Sequence, residues 1–172
     1  MWLKWIGGGL TIIGCSGLGI WYSIGFLTRY NILQELERGM LILQGEISYG
    51  RTPLPQAFEQ MARRTGGKVS RFFQKIAFLL EEGAADYETL WNKTIQEFFA
   101  HRDMGTEDRK ELIQLGKTMG YLDIDMQIQS LELYRNRLCS GIQKMDRERE
   151  KYVKLYPVLG TMCGAILCIM ML

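Results

Sequence analysis

Two uncharged, strongly apolar runs flank this chain: Trp5 to Leu27, 23 residues, and Leu155 to Leu172, 18 residues. As helices rising about 1.5 Å per residue they would measure about 34 Å and 27 Å, against a bilayer hydrocarbon core of about 30 Å. Each run can therefore span a membrane. A chain so built is expected to carry an N-terminal transmembrane anchor over 1–28, a working domain over 29–154 and a C-terminal transmembrane anchor over 155–172.

The cations set the expected orientation. Lys144, Arg147, Arg149, Lys151 and Lys154 precede the second run and no charged side chain follows it, and Lys and Arg beside a span are retained on the cytoplasmic face. The middle domain should then face the cytoplasm. A competing reading takes the N-terminus as a signal peptide, with Ile12-Ile13-Gly14-Cys15 resembling a lipoprotein processing box. Against it, apolar sequence continues well past Cys15, and export would leave the five cations on the wrong face.

The remaining composition narrows the function classes. The 21 cations and 19 anions nearly balance, so no nucleic-acid footprint exists. The cations beside the second run lie where they could meet an anionic leaflet of membrane lipid, although a charge run of this kind is usually a solvated helix face that sets topology. Of the four cysteines only Cys139 lies in the middle segment, which excludes a disulfide framework there.

The middle segment is patterned for helices. Leu33, Leu36, Met40, Leu43 and Ile47 recur at intervals of 3, 4, 3 and 4, the a/d seam of an antiparallel helical partner or of a coiled coil. Gly50 stops that helix, Thr52 is placed as the next N-cap and Pro53 in the first turn. Leu54, Ala57, Phe58, Met61 and Ala62 form a second stripe. Val69, Phe72, Phe73, Ile76, Leu79 and Leu80 form a third. Asp86 caps a fourth helix carrying Tyr87, Leu90, Trp91, Ile95, Phe98 and Phe99. Thr106 opens a fifth that Gly120 should end, and from Asp123 a long sixth carries Ile128, Leu131, Leu138, Ile142, Met145 and Tyr152. Strand signals are scarce. The expected fold is all-α, an antiparallel bundle of about six helices whose first and last extend into the anchors.

No catalytic constellation is visible. His101 with Glu97 four residues earlier is half a metal site at most, and such a pair is usually a surface contact. Gly7-Gly8-Gly9 sits inside an apolar run, where it cannot cradle phosphate. The acids Glu35/Glu37, Glu81/Glu82 and Asp123/Asp125 lie among cations or at helix starts, as acids do without catalysis. Neither catalytic residues nor a cofactor or metal site is expected.

One segment exceeds what its turn requires: Glu46-Ile47-Ser48-Tyr49-Gly50-Arg51-Thr52-Pro53-Leu54. Gly50, Thr52 and Pro53 suffice to join two helices, which leaves Glu46, Tyr49 and Arg51 as candidate partner-binding residues. This stretch resembles the E-I-x-Y-G-x-T-P-L motif of the stage III sporulation protein AB family. A second block, Leu115-Gly116-Lys117-Thr118-Met119-Gly120-Tyr121-Leu122-Asp123 with Gln127 and Gln129, is similar to that family's L-G-x-x-L-G-x-S-D-x-x-x-Q. Leu122 stands where the family carries Ser, so the cap there falls to Asp123. The resemblance extends over the whole chain, both anchors included.

It implies a non-enzymatic platform component of the channel complex between mother cell and forespore, in the mother-cell membrane facing the forespore. The helical domain would resemble the F-type platform domain of type II secretion systems. The implied partners are a secretion-type ATPase similar to stage III sporulation protein AA, other channel-complex membrane proteins and possible further copies of this chain. The alternative is a membrane-anchored helical sensor or signalling module.

Overall fold

A computed structural model describes residues 2–83, 86–100, 102–121 and 123–150 and the single positions 158, 159, 162 and 166. The described residues form six α-helices: α1 (Trp2–Ser48), α2 (Leu54–Arg64), α3 (Gly67–Glu81), α4 (Tyr87–Phe98), α5 (Thr106–Tyr121) and α6 (Ile124–Glu150). No strand occurs among them. The chain divides into two units: Arg29–Ile142, and the end segments Met1–Thr28 with Gln143–Leu172.

Among the described residues no helix is long and apolar enough to cross a membrane. The expectation of two spanning helices is thus not met there. Most side chains of the first expected anchor, up to residue 19, lie outside the described residues, as does 155–172 apart from four positions. Of the described side chains there, Ile20, Trp21, Tyr22 and Ile24, and Val158, Leu159, Met162 and Ile166, are exposed, Phe26, Leu27 and Thr28 are half-buried, and Ser23 is buried.

In the Arg29–Ile142 unit the stripes close on one core. Leu33, Leu36, Met40, Leu43 and Ile47 are all buried, as are Ala57, Phe58, Met61 and Ala62 of α2. At about 1.5–3 kcal/mol for each large apolar side chain, this burial is what makes the helices form in one another's presence. The adjacent Phe72 and Phe73 both enter the core and are fully buried. Their rings meet edge-on at 4.7 Å, Phe72 lies 5.3 Å from Trp91 and 5.2 Å from Phe99, and Phe58 lies 5.4 Å from Phe73. Edge-to-face contacts of this kind add about 0.5–1.5 kcal/mol each beyond burial. They tie α2, α3 and α4 together.

Helix ends follow local chemistry at some junctions and tertiary contacts at others. Asp86 accepts from the Thr89 N–H at 3.2 Å and caps α4 as expected; that hydrogen bonding holds its carboxyl below the usual range. Thr52 does not cap α2. Pro53 takes the N-cap position without a side-chain bond, and α2 starts at Leu54. At the start of α3, where no local side chain caps, Glu35 of α1 accepts the Gly66 N–H at 2.8 Å. The α4–α5 loop is held by charges from afar: Lys68 of α3 and the Ala100 N–H bind Asp103, while Arg29 and the Gly105 N–H bind Asp108. α1 and α6 run antiparallel, with Gln44 donating to Glu132 at 2.8 Å and the Cys139 thiol facing Glu37 at 3.8 Å.

Candidate partner-docking surface

Among the described residues no three His, Cys, Asp or Glu side chains gather as a metal site. His101 lies outside them, and its expected neighbour Glu97 pairs instead with Lys75 of α3 at 3.0 Å.

The α1–α2 turn is built tightly. The Thr52 N–H donates to the Glu46 carbonyl at 3.1 Å, and the Thr52 hydroxyl donates to the Glu46 carboxylate at 3.2 Å. A Cβ at position 50 would lie 2.7 Å from both the Glu46 carbonyl oxygen and the Thr52 hydroxyl, so Gly50 is required by space. Glu46 also faces Arg64 at 3.9 Å. Of the three candidate residues it is therefore the one turned into its own chain, where it closes the turn.

Tyr49 and Arg51 are different. Tyr49 is 94% exposed, more than any other large apolar or aromatic side chain described. Arg51 is exposed and sits at φ 46°, the one non-glycine with positive φ among the described residues. An L-residue pays about 1–2 kcal/mol for that left-handed backbone, where glycine would pay nothing. Among the described residues no carboxylate pairs with it. Closing the turn accounts for the strained backbone, but among the described residues nothing in the fold engages the guanidinium or the fully presented tyrosine beside it. Tyr and Arg are also the side chains that most often anchor protein interfaces.

The second block, 115–127, is explained by packing instead. A Cβ on Gly116 would fall 2.2 Å from the Trp91 ring, and one on Gly120 would fall 2.6 Å from the Tyr87 ring. These glycines let α5 lie directly on the aromatic face of α4. Trp91 uses that closeness to donate its indole N–H to the Leu112 carbonyl at 2.9 Å. Gly120 does not stop α5, which continues to Tyr121. The expected stop reads Gly120 as a turn residue, whereas its missing side chain is spent on contact. Gln127 then donates to the Met119 carbonyl at 3.0 Å and joins α6 to the end of α5.

Between α5 and α6 lies a cavity of about 200 Å³ lined by Glu111, Gln114, Thr118, Ser130, Tyr134 and Arg137. Tyr134 is absent from the sequence-derived stripe yet is 4% exposed, with a buried hydroxyl that has no hydrogen-bond partner. Its i+3 spacing from Leu131 was the available signal. Burial first, then the Asp108 and Glu111 carboxylates, push its phenol above the ordinary value, and burial alone does the same to Tyr87. With a raised folded-state value, stability is at its full level below the unfolded value near 10, where the phenol is neutral in both states, and falls above it by about 1.4 kcal/mol per pH unit for each phenol. Tyr134→Phe removes both the unpaired hydroxyl and this titration. It should melt no lower than the parent at pH 7 and resist unfolding to a higher pH, as followed by circular dichroism.

The comparisons with known proteins agree with the helical architecture. The family model described as stage III sporulation protein AB matches residues 4–172. The chain belongs to the stage III sporulation protein AB family. A relative from this family, the stage III sporulation protein AB of Bacillus subtilis (strain 168), is 23% identical over 170 residues, covering 99% of each chain. A solved structure of a stage III sporulation protein AB has a TM-score of 0.63, at 23% identity, over 72% of this chain and 98% of its own. That likeness shows the fold. Membership in a sporulation family gives this chain a sporulation-related role.

Proposed function

We propose that this chain is a non-enzymatic, membrane-anchored platform of the channel complex between mother cell and forespore, and that it contacts a secretion-type ATPase or another channel protein through Tyr49 and Arg51. The observation carrying this reading is the α1–α2 turn, with an exposed tyrosine beside an unpaired arginine on strained backbone. Glu46 holds that turn in shape from behind. The alternative, a ligand sensor, asks for a cavity of about 300–1,000 Å³, and the α5–α6 cavity at about 200 Å³ is smaller.

Membrane anchoring belongs to the same proposal. It is supported by the two uncharged runs, by the exposed apolar side chains of the end segments, and by Trp21 and Tyr22 near the end of the first run, where aromatic residues mark membrane interfaces. A reporter inserted between Gly66 and Gly67 should then read as cytoplasmic and one fused after Leu172 as external. The reverse result would reject the topology.

The docking reading is tested by Tyr49→Ala combined with Arg51→Ala. The double variant should melt within about 0.5 kcal/mol of the parent or higher, as surface changes do, while losing co-purification with the secretion-type ATPase and sporulation. Normal folding, co-purification and sporulation would remove this turn from the interface. Early melting would make the turn structural.

A further inference from the structure

The α1–α2 turn is the end of a longer feature on the outer side of α1. Leu41, Gly45 and Tyr49 follow one another at i, i+4 and i+8 and so form a single ridge over two helical turns. Leu41 is 47% exposed, although it is a large aliphatic side chain. Gly45 lies between the two exposed side chains, and a Cβ added to it would meet nothing within 4 Å. Gly39 and Gly116 have an internal reason, since a Cβ on Gly39 would strike Met61 at 2.2 Å and Gly116 accommodates Trp91, whereas Gly14, Gly17 and Gly141 meet nothing within 4 Å, as Gly45 does. A glycine inside a helix weakens it relative to alanine. Gly45 recovers nothing for that weakness within its own chain.

We propose that this ridge seats an amphipathic helix of a partner protein, which sets a bulky apolar side chain over Gly45, between Leu41 and Tyr49, and an Asp or Glu against Arg51. The missing side chain at 45 makes a notch one side chain wide, the shape that receives a knob from a crossing helix. The unpaired guanidinium at the end of the ridge fixes the sign of the charge the partner brings, and a planar fork favours a carboxylate. This inference rests on the reading of Tyr49 and Arg51 as a docking site and names the chemistry of what docks.

The test uses the full-length chain in detergent, co-purified with the secretion-type ATPase from sporulating cells. Gly141 of α6 is equally open, with nothing within 4 Å of an added Cβ, but has no exposed apolar neighbours one turn away, since Arg137 and buried Met145 occupy those positions. Gly45→Ala and Gly141→Ala should both melt at or above the parent temperature. Gly45→Leu should reduce the co-purified partner at least tenfold and Gly45→Ala less, with Gly141→Ala unchanged. A photo-crosslinker at position 41 should join a partner segment that carries apolar and acidic residues at helical spacing.

Undiminished co-purification of a folded Gly45→Leu, or a crosslink from position 41 to a second copy of this chain, would overturn the proposal. Should Gly45→Leu fail to fold, Gly45→Ala decides by the same comparison with Gly141→Ala. If Tyr49→Ala with Arg51→Ala loses the partner while Gly45→Leu keeps it, the turn docks but the helix seat is wrong. If both variants keep it, both readings fall.

Discussion

Phe72→Asp should abolish folding of the Arg29–Ile142 unit. Phe72 is fully buried and its ring touches Phe73, Trp91, Phe98 and Phe99, so one substitution withdraws contacts from α3, α4 and the start of the following loop together. Truncating a buried Phe costs about 3–5 kcal/mol, and an unpaired buried carboxylate adds several more, against a total stability of about 5–15. Leu43→Asp should behave in the same way from the α1 side. Circular dichroism of the 29–154 segment is the measurement: loss of the cooperative melting transition is expected, and a parent-like transition would mean that Phe72 is not in the core.

Gly116→Ala should also destabilise the unit, although it adds a single methyl group. That methyl would sit 2.2 Å from Cδ1 of Trp91, and the ring cannot yield because it is fully buried among Phe58, Phe72 and Phe73 and bonded to Leu112. Either α5 moves away from α4 or Trp91 leaves its rotamer, and overpacking of this kind costs about 1–3 kcal/mol or more. The expected result is a melting point lowered by several degrees with the indole hydrogen bond weakened, visible in Trp fluorescence. Gly45→Ala, which meets no neighbour, should show the opposite sign. Equal melting of the two would contradict the packing derived for α5 on α4.

That contrast marks where sequence reading stops. Gly116 and Gly45 are both glycines inside helical pattern, and nothing in the string distinguishes one facing an indole from one facing solvent. Tyr134 failed to register for a related reason: its amphipathic side chain fits a stripe or a surface equally well, and only the position of α5 decides. Glu46 was grouped with Tyr49 and Arg51 by adjacency, but a helix turns about 100° per residue, and Thr52 draws its carboxylate inward. The positive φ of Arg51 was invisible as well, because it comes from closing the turn rather than from the residue's own preference.

The order and number of the helices, the buried stripe from Leu33 to Ile47, the Asp86 cap and the family resemblance were determined by sequence alone. They depend on residues three or four apart, or on a motif read directly. The tertiary structure decided the rest: that Glu35 caps α3 across 31 residues, that Arg29 and Lys68 hold the α4–α5 loop, and that Gly116 and Gly120 serve contact rather than termination. The physical reason is range. Helical periodicity and capping are energies between near neighbours in the chain, whereas which charge meets which backbone end, and which glycine meets a ring, is settled only when distant helices are brought together by burial.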